Sequence, residues 1–95
     1  MAILGASAGW DSNYAESLTA AYTCDKKDSG KVFFLTGAFN VTLPSASDAG
    51  AGWHATFINI SGNSTVNSIA MTAANDYVHV HCNGSAFYNA GSTAT

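Results

Sequence analysis

The residues of this 95-residue chain best suited to chemistry are two histidines in the run YVHVHC. His79 and His81 lie two positions apart, so both imidazole rings project from the same face if the run is a β-strand. Two imidazoles at this spacing can chelate a transition metal, with a third ligand supplied by His54, Asp76 or Cys82. Cys82 would face away from the pair, because it directly follows His81. A polar or interfacial strand face is the simpler interpretation, and we expect no resident metal or other cofactor.

Neither the cysteines nor the carboxylates form a catalytic arrangement. Cys24 and Cys82 are an even pair that could form a disulfide, but assembly in a cytoplasm favours two reduced, mostly buried thiols. His81 adjoins Cys82 and faces away from it on a strand, which argues against a Cys/His nucleophilic pair. The carboxylates all fall in predicted loops or in the N-terminal arm, and no two share a strand face as an acid and base would: Asp11, Glu16, Asp25, Asp28, Asp48 and Asp76. We therefore expect a protein that is not an enzyme.

The composition argues against several classes of partner. Charged residues make up 9% of the chain, against about 25% in a typical globular domain. With 47% hydrophobic and 12% aromatic residues, the chain has enough apolar surface to fold. Its basic residues are three lysines, too few to neutralise a run of phosphates, so we expect no nucleic-acid binding. No apolar run approaches the roughly 20 residues that span a bilayer, and the N-terminus lacks the features of a signal peptide. We expect assembly in a cytoplasm and no membrane partner.

Short alternating runs predict an all-β fold. In FNVTL, Phe39, Val41 and Leu43 point to one face, and the polar residues between them point to the other. Residues 53–59 alternate in the same way, because the side chains of a strand project with period two. Residues 45–52 separate the two runs and contain mostly small side chains, which predicts a loop.

Turn signals divide the chain into about seven strands. The charged stretch 25–30 is predicted as a solvated turn. Asn83-Gly84 predicts a two-residue hairpin that joins YVHVHC to SAFYN, with Phe87 inward and Tyr88 outward. No predicted helix is long enough to cross between parallel strands, and no repeat of fixed period indicates a solenoid. The fold class predicted is all-β, a small antiparallel β-sandwich or barrel of jelly-roll-like form.

We predict a single domain, residues 18–95, preceded by an extended N-terminal arm, residues 1–17. The arm contains the apolar residues Ile3, Leu4 and Trp10. Trp10 is too apolar to leave in water, so it docks either on a neighbouring subunit or larger surface, or back onto its own domain.

Two stretches carry weaker strand signals. Residues 18–24 are predicted as a strand, and a short helix over residues 15–21 is the alternative because alanine and leucine are good helix formers. Residues 65–71 are predicted as a single weak strand.

Two blocks of the sequence resemble a known family. TLPSASDAGAGW and NGSAFYNAG lie within residues 28–91, a stretch that resembles a small β-module of tailed-bacteriophage virion proteins. Such modules occur in the tips of tail fibres and spikes and in short proteins that decorate capsids. The H-x-H element is also similar to one in some phage fibre tips, where rings of histidines around a threefold axis hold an iron ion. In this chain the element occurs once.

The resemblance implies a structural virion protein, and most concretely a capsid decoration (cement) protein. Such a protein is assembled in the host cytoplasm, binds the major capsid protein on the outer head surface as a homotrimer, and stabilises the shell by mass action. The short chain and its low charge fit this role, because a thin core and an uncharged surface favour association. We expect two sets of contact residues: Ile3, Leu4 and Trp10 for docking to the shell, and Tyr77, His79 and His81 for the subunit interface.

The alternative is a receptor-binding module of a tail fibre or spike. In that role, exposed Trp53 and Tyr88 would stack on sugar rings. A cytoplasmic β-sandwich with no viral role is a third possibility.

Overall fold

The computed structural model describes residues 15–66 and 68–93 of the chain. Within them the protein is all-β, as predicted, with one 3₁₀ turn and one short α-helix. The strands are β1 (Ala15–Leu18), β2 (Tyr22–Thr23), β3 (Val32–Thr36), β4 (Asn40–Thr42), β5 (Ala51–Ser61), β6 (Ser64–Val66), β7 (Ile69–Met71), β8 (Tyr77–Asn83) and β9 (Phe87–Ser92). The 3₁₀ turn is Lys26–Asp28 and the helix α1 is Ala46–Ala49.

The strands form a five-stranded sheet in the order β9-β8-β5-β3-β1 and a four-stranded sheet in the order β2-β4-β6-β7. Both sheets are mixed, so the prediction of antiparallel pairing is wrong. Strands β1, β3 and β5 are parallel neighbours in one sheet, and β2, β4 and β6 are parallel neighbours in the other. Strands β8 and β9 complete the larger sheet in antiparallel pairing, and β7 completes the smaller.

The parallel strands of one sheet are connected through a strand of the other sheet, because the chain alternates between the two sheets. Each turn of chain places one strand in the larger sheet and the next strand in the smaller, and three such turns stack on one another. The turns differ in length. The paired residues Ala15 and Val32 are closer together in the sequence than the paired residues Val32 and Thr56. These unequal steps explain why the sequence shows no repeat of fixed period.

One core joins residues of both sheets. On β3 and β5 the alternation places Phe33 and Phe57 inward, where their rings stack with centroids 5.2 Å apart and both are fully buried. Val41 of β4 is buried as the FNVTL pattern predicts. Val66 and Met71, from the hairpin β6–β7, contribute from the smaller sheet. Each fully buried large apolar side chain contributes about 1.5–3 kcal/mol relative to exposure.

Several local predictions need correction. Residues 15–18 form strand β1 of the larger sheet and not a helix, so three residues assigned to the arm belong to the fold. The predicted strand 18–24 is divided between β1 and β2. The predicted loop 45–52 contains α1, whose first turn is capped by the Ser45 side chain accepting from Asp48 N at 3.3 Å.

Two predicted turns also differ in detail. The weak strand predicted at 65–71 is a hairpin of β6 and β7, because the chain reverses at Ser68, which has a φ of 66°. The hairpin predicted at Asn83-Gly84 forms between β8 and β9, but three residues separate the strands instead of two. The Asn83 side chain accepts from the backbone N–H groups of Ser85 and Ala86, which favours the longer turn. The predicted docking residues Ile3, Leu4 and Trp10 lie outside the described residues.

Candidate functional site

The side chains best suited to binding or chemistry lie on the outer face of the larger sheet, the face directed away from the core. Cross-strand pairing arranges its side chains in rows. One row is apolar and aromatic: Phe34 of β3, Ile58 of β5 and Tyr77 of β8. The next row contains Val32, Thr56 and His79, and the third contains His54, His81 and Tyr88 of β9. The outer face is therefore apolar at one end and rich in histidine at the other.

The alternation predicted for YVHVHC is confirmed, and it places all three histidines of the chain together. His79 and His81 project from β8, and His54 is the direct cross-strand partner of His81 on β5. The ring centroids of His79 and His81 are 4.8 Å apart, those of His54 and His81 are 5.5 Å apart, and those of His54 and His79 are 6.3 Å apart. Cys82 faces the core on the opposite side, as predicted. We use the name histidine cluster for His54, His79 and His81.

Hydrogen bonds orient each ring of the histidine cluster. His79 Nδ1 contacts the Thr56 hydroxyl, and His79 Nε2 lies 2.8 Å from His81 Nε2. His54 Nδ1 lies 3.1 Å from the carbonyl oxygen of Gly52, to which it can only donate. Thr56 is a contributor that the sequence pattern did not single out. Its position opposite His79 follows from the pairing of β5 with β8, which the sequence alone does not specify.

The cluster favours neutral imidazole at His79. Burial lowers the pKa of His79, and the neighbouring positive charges that His81 and His54 would carry lower it further. Neutral imidazole is the form that accepts a hydrogen bond or binds a metal through its free nitrogen. No three His, Cys, Asp or Glu side chains among the described residues are already arranged to hold a metal ion.

A second group of polar side chains is buried beneath the charged turn. Asp28 is fully buried, so the prediction of a solvated turn is wrong for this residue. Its Oδ1 lies 2.9 Å from Lys31 Nζ, and its Oδ2 accepts from the Tyr22 hydroxyl and from the Asp25 backbone N–H, both at 2.9 Å. Lys31 Nζ also lies 3.0 Å from Glu16 Oε1. These contacts link β1, β2 and the 3₁₀ turn to the start of β3.

The charges of this group shift one another's pKa values. Burial raises the pKa of Asp28, but the hydrogen bonds from the Asp25 backbone, Lys31 and Tyr22 outweigh it, and the net pKa lies below the ordinary value. The hydrogen bonds to Asp28 and Glu16 raise the pKa of Lys31. Asp28 and Lys31 therefore remain charged and paired at neutral pH, which indicates a structural role.

The cysteines are free and buried, in agreement with the predicted pair of reduced thiols. Burial raises the pKa of Cys24 to about 12, and the charge of Asp28 adds to this effect. Cys82 Sγ lies 3.3 Å from Gly84 N, inside the β8–β9 turn. A thiol with a raised pKa is a poor nucleophile, so the environment of Cys24 does not point to cysteine chemistry.

Trp53 and Tyr88 have opposite environments. Trp53 is only 2% exposed, its indole N–H donates to the Asp25 carbonyl oxygen at 3.1 Å, and Phe87 packs against it edge-on with ring centroids 5.5 Å apart. Sugar stacking on Trp53, which the receptor-binding alternative requires, is therefore excluded. Tyr88 is 56% exposed and points outward while Phe87 packs against the core, as predicted.

Among the described residues, no helix is long and apolar enough to cross a bilayer. The chain matches no protein-family model, no curated protein and no solved structure.

Proposed function

We propose that this protein is a structural component of a tailed-phage virion, a decoration (cement) protein that binds the major capsid protein on the outer head surface. The observation that carries the proposal is the apolar end of the outer face. There, Phe34 and Ile58 are half-buried and Tyr77 is 37% exposed, in a chain with only 9% charged residues. An apolar row on an uncharged β-surface is suited to burial against another protein.

The proposed assembly is a homotrimer whose subunits meet through strand β8. In this arrangement Tyr77 packs at the subunit interface, and His79 and His81 lie beside it on the same strand face. Aromatic side chains with one polar group are favoured at such interfaces, because they bury a large area and keep a hydrogen bond. Because both sheets contribute to one core, we also propose that they pack face to face as a sandwich.

Docking to the shell is assigned to Ile3, Leu4 and Trp10. Many copies bound to the assembled shell, and not to free shell subunits, would shift the equilibrium toward the shell by mass action. The sequence blocks that resemble phage virion modules support the same role. The same blocks also support a tail-fibre or spike module. In that alternative, Tyr88 and not Trp53 would stack on sugar rings, because Trp53 is buried.

The proposal is tested by co-sedimentation of the purified protein with undecorated phage heads. We expect the full chain to sediment with the heads, a variant lacking residues 1–14 to stay in the supernatant, and a Tyr77→Ser variant to bind weakly. The circular dichroism spectrum of each variant should match that of the full chain, which separates lost docking from lost folding. Binding of the truncated variant at full strength would contradict the docking role of the arm. Failure of the full chain to bind heads would contradict the decoration role.

A further inference from the structure

We propose that the histidine cluster binds one divalent transition-metal ion per chain, with His54, His79 and His81 as the ligands. Imidazole nitrogen is a preferred ligand of Zn²⁺, Cu²⁺ and Ni²⁺, and three imidazoles with one open position form a recurring zinc arrangement. Here two ligands lie two residues apart on one face of β8, and the third, His54, lies directly opposite His81 on β5. A single chain thus supplies all three from two adjacent antiparallel strands. The site does not depend on the proposed role in a virion.

The two histidines of β8 already converge on one point. His79 Nε2 and His81 Nε2 are 2.8 Å apart. Two nitrogen ligands at about 2.0–2.1 Å from a tetrahedral Zn²⁺ are separated by roughly 3.3 Å, so the pair needs to open by about 0.5 Å to admit the ion. The proton that joins the two nitrogens would then move through solvent to Nδ1 of its own ring, and two metal–nitrogen bonds would replace the hydrogen bond.

The second ring nitrogen of His79 supports the same geometry. Metal-binding histidines commonly donate their other ring N–H to an oxygen, which fixes the tautomer and the ring orientation. His54 Nδ1 has the Gly52 carbonyl oxygen as its partner, and His79 Nδ1 has the Thr56 hydroxyl. The Thr56 hydroxyl can accept from His79 Nδ1 and so leave the Nε2 lone pair of His79 free for a metal, whereas the contact of His54 Nδ1 to Gly52 belongs to the rotamer before metal binding.

The third ligand completes the site by a change of side-chain torsion. Since no three ligands are already arranged around one point among the described residues, His54 must turn its Nε2 toward the His79–His81 pair. Its ring is half-buried and lies over His81 with an interplanar angle of 24°. A rotation of this side chain would give up the contact of Nδ1 to Gly52 in exchange for a metal–nitrogen bond. The ligand set contains nitrogen only, which favours Zn²⁺ over Mg²⁺ and Ca²⁺, because the latter ions prefer oxygen.

The test is a titration of the EDTA-treated full chain with ZnCl₂, followed by calorimetry and by NMR of the histidine ring nitrogens. We expect one Zn²⁺ per chain, a change in the Nε2 resonances of all three histidines, and no binding of Mg²⁺. One Zn²⁺ per three chains would indicate a ring of histidines around a trimer axis and would overturn the single-chain site. Changes confined to His79 and His81 would overturn the role of His54.

The Zn²⁺ affinities of single-residue variants distinguish the metal ligands from the residues beside them. His81→Ala, at an exposed position, should weaken Zn²⁺ binding at least tenfold, and His54→Ala should do the same. Thr56→Val should weaken it about tenfold through loss of the contact to His79 Nδ1. Thr42→Val, an exposed threonine of the smaller sheet, is the matched control and should leave the affinity unchanged. Equal affinity of the full chain and the His81→Ala variant would refute the proposal.

Discussion

Lys31 Nζ lies 2.9 Å from Oδ1 of Asp28, a carboxylate with no exposed surface. This pair differs from the other short-range ion pair of the turn, in which the exposed Lys27 Nζ is 4.0 Å from Asp25 Oδ2. Burial of one partner makes the first pair costly to break, whereas solvent screens the second.

Replacing Lys31 by methionine should therefore destabilise the fold by about 3 kcal/mol, because the Asp28 charge would remain buried without its cation. Lys27→Met removes the same charge at an exposed position and should change the free energy of unfolding by less than about 0.5 kcal/mol. Urea denaturation of both variants measures the difference. Equal stability of the two variants would show that the buried pair does not hold the turn.

The stability of the protein should depend on pH through Asp28. Its folded-state pKa is lowered, so in acid the unfolded chain binds the proton first. The stabilisation is present above the unfolded pKa of about 3.9 and is lost as the pH falls through the folded pKa. We expect the carboxyl carbon of Asp28 to titrate below about 3.9 in NMR, and the Asp28→Asn variant to lose less stability than the native chain between about pH 5 and pH 2. Titration at or above about 3.9 would contradict the ion pair.

Gly62 should resist substitution more strongly than Gly50. Both have positive φ, 85° and 84°, but a Cβ on Gly62 would lie 2.4 Å from the Gly37 carbonyl oxygen, whereas a Cβ on Gly50 would meet nothing within 4 Å. Gly50→Ala should cost about 1–3 kcal/mol for the backbone conformation alone, because its ψ of 163° places it in a region that glycine alone adopts readily. Gly62→Ala should cost a further 1–3 kcal/mol, roughly, because two backbone segments must move apart. Thermal unfolding of the two variants gives the comparison, and similar melting temperatures would disprove the close approach.

Asn59 joins two loops from within the core. It is fully buried, and its Nδ2 donates to the carbonyl oxygens of Gly62 and Ala73, both at 2.9 Å. Asn59→Leu keeps the volume but leaves both carbonyl groups without this donor, so we expect a loss of about 2–4 kcal/mol in unfolding free energy. Asn63→Leu, at an exposed position of the neighbouring turn, should change it by less than about 0.5 kcal/mol. A small effect of Asn59→Leu in chemical denaturation would contradict this role.

Local alternation was enough to predict which side chains share a face in the runs FNVTL and 53–59. Val41 is buried as its run predicts, and Trp53 and Phe57 share one face of β5, which the structure buries. The sugar-binding alternative requires an exposed Trp53. Trp53 lies on the same face of β5 as the buried Phe57, so it is buried as well. A period-two pattern assigns each residue of a strand to one of two faces, and one of these faces packs against the core.

The order of the strands could not be predicted in the same way. Parallel pairing of β1, β3 and β5 depends on a chain that passes through the second sheet between them, and no local pattern reports such a path. The burial of Asp28 depends on Tyr22 and Lys31, which come from outside the 3₁₀ turn. The histidine cluster was predicted in part: the pair His79 and His81 follows from their spacing, and the addition of His54 follows from the register of β5 on β8.

We propose that this chain decorates a phage head, and its copy number in the virion tests this proposal most directly. Quantitative mass spectrometry of purified tailed-phage virions would compare this polypeptide with the major shell protein. The account predicts a copy number comparable to that of the shell protein. A handful of copies per virion, or none, would contradict it.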